Sequence, residues 1–335
     1  MARGVLRVVS EKIRVSTGSA AVLGLLDARL DDAPTTIYLL TGGRCAATCA
    51  FCPQARTSSS PDDLLSRVSW PEFEVDRVLE ALDGRRPAGA KRVCVQVTRT
   101  PGGRAALRRL LPALHALRRG DAARFEISVC YHPATAAEAG EVLALGADRI
   151  GIALDAACPE VHARTKPGSW AGTMSLLEEA ASLFPGRVST HLIVGLGETE
   201  EHMVRVMRRL AAAGITIGLF AFTPVKGTAM ERVPQPPIDA YRRVQLARHI
   251  IVNGLEGEQG FKFSSGRIVG FGMEPLRVLE IARSGAPFRT SGCPGCNRPY
   301  YNERPGAIMY NYPRPLTPAE AERAVFEARL SAESV

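Results

Sequence analysis

The stretch 38-YLLTGGRCAATCAFCPQAR-56 decides the reading of this chain. It continues an apolar run, 36-TIYLL-40, that reads as a buried strand. The chain then bends at Gly42 and Gly43 and presents Cys45, Cys49 and Cys52 at a Cys-x3-Cys-x2-Cys spacing. Paired glycines let a loop double back and bring main chain close to a bound group. Three thiolates this close together suit an iron–sulfur cluster. A [4Fe-4S] cluster with only three protein ligands keeps one iron open to a substrate or cofactor, by the logic that separates catalytic from structural zinc sites. At this cysteine content, chance yields such a triplet only about 0.005 times per chain. A zinc knuckle would need a fourth ligand, and the nearest histidine, His115, is far away in sequence.

Outward from this loop, short apolar runs recur at 92-RVCVQV-97, 125-FEISV-129, 149-RIGIAL-154, 187-RVSTHLIV-194 and 215-ITIGLFAF-222. Helical patterns over 72–82, 103–119, 134–146, 171–184, 199–214 and 238–252 alternate with them, which predicts an α/β fold with a parallel sheet wrapped by helices. Weaker strands at 261-FKFSS-265 and 287-PFRTS-291, around a helix at 274–283, bring the count to about eight units. The expectation is a (β/α)8 TIM-type barrel, or a six-unit partial barrel with a C-terminal extension. In such a fold the loop after a strand lies on the active-site face, where the cysteine triplet falls. A helical region near 20–30 and a final helix over 317–330 would sit outside the barrel. The chain divides accordingly into an N-terminal helical segment (1–34), the barrel (35–290) and a Cys-containing extension (291–335).

Composition sets the class. The 335 residues carry 42 Lys+Arg against 34 Asp+Glu, a net charge of +8, with 46% hydrophobic and 23% charged residues. That is a globular profile, neither disordered nor collagenous. No apolar run of about 18 residues predicts a transmembrane helix. Arg3, Arg7, Glu11, Lys12 and Arg14 interrupt the start of the chain, so no secretory signal is expected and the reading is cytoplasmic. In a reducing compartment, eight cysteines point to metal or redox chemistry rather than disulfides. Five fall in two tight clusters, Cys45/Cys49/Cys52 and Cys293/Cys296, while Cys94, Cys130 and Cys158 stand alone. The basic excess would suit docking of an acidic carrier domain or electron donor, or be a solvated face. Its densest run, 104-RAALRRLLPALHALRR-119, also fits one face of an amphipathic helix, and no nucleic-acid motif accompanies it.

The triplet, with Phe51 just before its third cysteine, resembles the radical S-adenosylmethionine (SAM) superfamily. The resemblance implies a [4Fe-4S] cluster whose open iron chelates SAM, and reductive cleavage of SAM to a 5′-deoxyadenosyl radical that takes hydrogen from an unactivated carbon. Over roughly 35–270 the chain is similar to biotin synthase. Cys94 and Cys130 stand where that family carries two ligands of an inner iron–sulfur cluster. The likeness assigns Asp155 to the SAM ribose, places Ile193 and Gly195 beside adenine, and puts Arg267 at an unusual arginine ligand. Two departures stand out: Ser189 replaces the third inner-cluster cysteine, and Arg164 or Lys166 would have to substitute for the arginine that meets the SAM carboxylate.

The segment 289-RTSGCPGCNRPYYNERPGAIMYNYP-313 adds Cys293 and Cys296 on a compact Pro-Gly turn. It reads as half of an auxiliary iron–sulfur site, completed by Cys94 and Cys130 or less usually by Ser189 or Arg267, or alternatively as a zinc turn or redox dithiol. A biotin-synthase-like chain ending this way resembles the split, two-protein lipoyl synthase. That resemblance implies sulfur insertion at C6 or C8 of an octanoyl chain on a carrier protein, with the auxiliary cluster as sulfur source. It also implies a second radical SAM lipoyl synthase subunit and a low-potential electron donor of ferredoxin or flavodoxin type. Two other readings stay open: a radical SAM enzyme using its auxiliary cluster for electron transfer or substrate binding, and a non-catalytic iron–sulfur scaffold.

Overall fold

A computed structural model describes residues 11–84, 89–118, 125–303 and 306–330. Arg3, Arg7, Arg119, Arg304 and Pro305 of the sequence reading lie outside the described residues. The chain forms two compact units, one of Met1–Ala153, Val225–Glu231 and Pro294–Arg298, the other of Leu154–Pro224, Arg232–Cys293 and Pro299–Val335.

The first unit begins with β1 (Lys12–Val15), α1 (Thr17–Val22), β2 (Thr36–Thr41), a small hairpin of β3 (Leu64–Leu65) and β4 (Val68–Ser69), and β5 (Glu72–Glu74). It continues through α2 (Val75–Gly84), β6 (Arg92–Val97), α3 (Pro101–Ala116), β7 (Glu126–Cys130), α4 (Ala136–Ala144) and β8 (Arg149–Gly151). Its sheet runs β8-β7-β6-β2-β1-β5, parallel from β8 to β2 and antiparallel around β1. Alternation along the strands separates two faces. Ile37, Leu39, Val93, Val95, Ile127 and Val129 are at most 1% exposed, and each such burial is worth about 1.5–3 kcal/mol. Helix α3 covers β2 and β6 with Leu107, Leu110, Leu111 and Leu114 buried; Pro101 opens it and the Thr100 hydroxyl accepts the Gly103 N–H. The opposite face is polar, with Tyr38, Cys94 and Ser128 in one row and Gln96 and Cys130 in the next.

The second unit contains α5 (Pro159–Thr165), α6 (Trp170–Leu183), β9 (Val188–Val194), α7 (Glu200–Ala212), β10 (Thr216–Ala221) and α8 (Ile238–Val252). After them come β11 (Lys262–Ser264), β12 (Arg267–Gly270), α9 (Pro275–Arg283) and α10 (Pro318–Ala328). Strands β9 and β10 are parallel in full register, Ser189 opposite Thr216 through Val194 opposite Ala221.

Among the described residues four parallel strands lie in the first unit and two in the second, so the strand-and-helix units number six rather than eight. The expected strand at 261–265 pairs only locally, β11 with β12 as an antiparallel hairpin. The expected strand at 287–291 is a 3-10 turn over Ala286–Phe288, followed by a single bridge from Arg289 to Tyr312. The N-terminal helical region is corrected as well: helix ends at Val22, and β1 precedes it. Among the described residues no helix is long and apolar enough to cross a membrane. The basic run on α3 is largely neutralised locally, Arg104 by Glu138 (3.5 Å), Arg108 by Glu141 (2.9 Å), Arg109 by Glu11 and Arg118 by Asp148 (2.5 Å).

Candidate active site

The cysteine loop leaves the C-terminal end of β2. Gly42 adopts φ +88°, and a Cβ there would lie 2.3 Å from Thr98 Oγ1 and 2.9 Å from Gly103 Cα. Only glycine passes through that gap. The loop then closes on itself: Cys45 N–H donates to Gln54 O (2.9 Å), Cys52 N–H to Cys49 O (3.1 Å) and Arg56 N–H to Ala47 O (2.8 Å). The main-chain N–H groups of Arg99 (3.3 Å) and Ala47 (3.5 Å) point at Cys45 Sγ. Such donors stabilise charge on a metal-bound sulfur. The segment Val225–Glu231 braces the outside: Ser59 N–H and Ser58 Oγ donate to Gly227 O (2.9 and 3.0 Å), Ser60 Oγ to Lys226 O (2.6 Å) and Met230 N–H to Ala50 O (3.2 Å). Half-buried Phe51 lies within this braced stretch. Three thiols on one closed loop, the first already facing N–H donors, fit a three-thiolate iron–sulfur group. Among the described residues no three His, Cys, Asp or Glu side chains are gathered at metal-binding geometry.

On the polar face of the first unit's sheet, Cys94 Sγ and Cys130 Sγ are 4.0 Å apart and Gln96 Nε2 is 3.2 Å from Cys94 Sγ. Tyr38, the β2 partner of Cys94, has its hydroxyl 2.9 Å from Cys296 Sγ. The turn carrying Cys296 is pinned: Thr35 N–H donates to Asn297 Oδ1 (2.8 Å), Thr35 Oγ1 to Gly295 O (2.5 Å), Asn297 Nδ2 to Ala33 O (2.9 Å) and Arg92 Nη2 to Pro294 O (3.2 Å). Cys293 belongs to the second unit, where its Sγ lies 4.0 Å from Ser189 Oγ.

In the second unit Ser189, His191 and Ile193 share one face of β9. Asp155 sits at φ +65°, in the left-handed region, with its N–H donating to His191 O (3.0 Å) and its carbonyl accepting from Ile193 N–H (2.8 Å). Lys166 Nζ donates to its Oδ2 at 2.7 Å, and His191 Nε2 lies 2.8 Å from Oδ1. Burial alone would raise the Asp155 carboxyl, but the charge of Lys166, then His191, outweighs it and holds the group well below the usual carboxylate range. Buried His162, whose Nε2 has no hydrogen-bond partner, is pushed down by burial and then by Lys166. Gly195, at φ +103°, would place a Cβ 3.0 Å from Pro236. Its N–H and that of Leu196 donate to Glu198 (2.6 and 3.0 Å), whose carboxyl burial nevertheless raises. Arg164 Nη2 would be 3.3 Å from a Cβ at Gly197, so its guanidinium lies against the same loop.

The structure therefore unites Asp155 and Lys166, which the sequence presents separately, with His191. It also brings forward Glu198 and Arg44, which sequence reasoning missed; an acid three residues after a strand-ending glycine was the available signal for Glu198. Arg267 is exposed, opens β12 in the hairpin with β11, where the chain turns back at Ser265 and Gly266, and its Nη2 donates to Arg329 O at 3.4 Å. Cys158 precedes α5 as a buried residue, its thiol raised by burial.

The Radical SAM superfamily model matches residues 39–210. Biotin synthase of Nocardioides sp. is 30% identical over 236 residues, covering 69% of this chain and 61% of that protein. Biotin synthase of Synechococcus sp. is 25% identical over 219 residues, covering 63% and 67%. The chain thus spans about three-fifths to two-thirds of the curated relatives it matches. Among solved structures, the FeFe-hydrogenase maturase HydG aligns with TM-score 0.53 at 13% identity, over 65% of this chain and 50% of that one. HydG from Carboxydothermus hydrogenoformans aligns with TM-score 0.51 at 16% identity, over 73% and 55%. These structures speak for the fold alone, an α/β arrangement of TIM type with a mostly parallel sheet. The family match begins inside β2 and ends inside α7, so it takes in both the cysteine loop and the Asp155 cluster, and the chain belongs to the radical SAM superfamily.

Proposed function

We propose that this enzyme inserts sulfur into unactivated C–H bonds of an octanoyl chain borne by a carrier protein, as one component of a two-protein lipoyl synthase. The observation that carries the reading is Cys94 and Cys130, Sγ atoms 4.0 Å apart on adjacent parallel strands, on a face that also carries Tyr38 against Cys296. That set fits a second, auxiliary iron–sulfur group as sulfur source. Likeness to biotin synthases supports sulfur insertion. Against biotin synthesis itself stands Ser189, beside which the C-terminal segment brings the Cys293 thiol.

Cys45, Cys49 and Cys52 would hold the SAM cluster, with Phe51 beside them. Once loaded, the cluster and SAM supply a 5′-deoxyadenosyl radical able to take hydrogen from an aliphatic carbon. Asp155, kept ionised by Lys166 and His191, retains lone pairs for the ribose hydroxyls even with two donors already placed. Ile193 and Gly195 would flank adenine, and Arg164 offers a cation for the SAM carboxylate. Each hydrogen removed would consume one SAM and one electron from a low-potential ferredoxin- or flavodoxin-type donor, releasing methionine and 5′-deoxyadenosine. The octanoylated carrier and a second radical SAM subunit are the other partners of this reading, and the cytoplasm its compartment.

Anaerobic reconstitution with iron and sulfide counting tests it first. About eight iron atoms per chain support two [4Fe-4S] clusters, and about four sink the auxiliary group. Incubation with an octanoylated carrier should then add one or two sulfurs by mass. Formation of 5′-deoxyadenosine without that gain rejects the lipoyl reading and leaves a biotin-synthase-like reaction on another substrate, the reading favoured by the relatives at 30 and 25% identity.

A further inference from the structure

The guanidinium of Arg44, immediately ahead of Cys45, is the most heavily used side chain of the cysteine loop. Its Nη1 is shared among the carbonyls of Pro53 (3.1 Å), Ala55 (3.2 Å) and Ser58 (2.9 Å). Its Nη2 donates to Ser60 O (2.7 Å) and to the Asp62 carboxylate. All five acceptors follow Cys52 in sequence, whereas Arg44 precedes Cys45. One side chain therefore ties together the two ends of the segment that carries the three thiols. The acceptors belong to a stretch of turns and bends, Pro53–Asp62, that has no ladder of its own to satisfy its carbonyls. A planar fork of five N–H donors matches acceptors arranged around it; a lysine, with three donors on one atom, does not.

We propose that Arg44 is the positioning residue that keeps the metal-free cysteine loop closed, its two ends tied with the three thiols between them, so that cluster assembly has less chain to order. Preorganisation of this kind removes the ordering cost that a floppy loop would impose at the moment of metal binding. The inference rests on the superfamily cluster and is independent of the lipoyl reading.

The test is amide hydrogen exchange on the full-length, metal-free protein, comparing wild type with Arg44→Gln, Arg44→Lys and Asp62→Asn. The reporters are the amides of Cys45, Cys52, Ala55 and Arg56, all hydrogen-bonded within the loop. In Arg44→Gln and Arg44→Lys their exchange should accelerate about tenfold or more, while the amides of β6 and α3 keep their wild-type rates. On reconstitution both variants should take up less iron per chain and give a broadened electron paramagnetic resonance signal in the reduced state. Asp62→Asn should behave as wild type, because that carboxylate is 62% exposed and its pair contributes little. Wild-type exchange in Arg44→Gln would overturn the proposal, as would full protection in Arg44→Lys, which would show that the charge suffices without the fork. If Arg44→Gln does not fold, the Arg44→Lys comparison decides.

Discussion

Replacing Lys166 by methionine takes the cation away from a carboxylate that is almost out of water. The Asp155 and Lys166 side chains are each 6% exposed, with Nζ 2.7 Å from Oδ2. At 2.7 Å and an effective dielectric of about 20 the gross attraction is roughly 6 kcal/mol. Removing one partner of such a buried pair leaves a net cost of about 3–5 kcal/mol. The cost depends on pH, and its sign follows from the groups around Asp155. In the wild type the carboxyl lies well below its ordinary range, since Lys166 and then His191 outweigh burial. A depressed carboxyl contributes stability that is in place above the unfolded value, about 3.9, and is lost only as pH falls toward the folded value, so between pH 5 and 9 this contribution is flat. Without Lys166 burial dominates and the carboxyl rises, so the ionised group costs more as pH climbs above about 4. The gap between variant and wild type should therefore be widest above pH 8 and narrow toward pH 5.5. Urea denaturation of the metal-free protein at pH 8.5, 7.0 and 5.5 measures it. Adding Asp155→Asn to Lys166→Met should recover stability, with a coupling of about 2 kcal/mol or more in the double-mutant cycle. A gap that does not change with pH, or a double variant no more stable than the single one, would refute the reasoning.

Two further outcomes follow from packing. Gly42→Ala combines a left-handed backbone with a Cβ 2.3 Å from Thr98 Oγ1; strain of this kind costs about 1–3 kcal/mol before the clash is counted, so iron retained per chain should fall, and unchanged retention would show that the turn relaxes freely. Arg243, 4% exposed, donates to Glu200 through Nε and Nη2, to Asp239 (3.2 Å) and to Ala328 O (3.0 Å); Arg243→Met leaves those acids unmatched and should lower Tm by roughly 6 °C or more, a loss that calorimetry would measure directly.

The six parallel strands were legible because each is a β-branched run covered by helices on one face, so that burial writes itself into composition. The segment 261–265 was legible as a strand but not in its pairing. Ser265 and Gly266, at φ +48° and +76°, form a tight turn that returns the chain onto itself, and a Ser-Gly dipeptide is a turn marker that could have predicted the hairpin. Strands β1 and β5 were missed because each is very short and is completed by a partner distant in sequence, Lys12 against Glu74 and Ile13 against Phe73. The cysteine triplet was readable from spacing alone, since its three members share one loop. Asp155, Lys166 and His191 come from three separate segments, so no spacing rule could have joined them.

The C-terminal motif shows why chemistry-bearing sequence and structural sequence are hard to separate. Read as sequence, NRPYYNERPGAIMYNYP offers polar and aromatic groups that could serve a bound cofactor. In the fold, Asn302, Glu303 and Asn311 are at most 7% exposed. Glu303 accepts from Asn302 N–H (3.1 Å) and Asn311 N–H (2.7 Å), Asn302 Nδ2 donates to Ala221 O at the end of β10 (2.8 Å), and Tyr241 of α8 donates to Asn311 Oδ1 (2.9 Å). These buried polar groups find partners in the fold, and with the buried rings of Tyr310 and Tyr312 they set the position of the segment. Ahead of this network, Ser291 Oγ accepts the Leu219 N–H (2.9 Å), and Gly218, whose Cβ would stand 3.5 Å from Ser291 O, lets the chain run close along β10. The Asn-Glu-Asn network and the Ser291 contact are thus the part of the motif that delivers the Cys293 thiol to Ser189, and their polarity records that placement rather than contact with substrate.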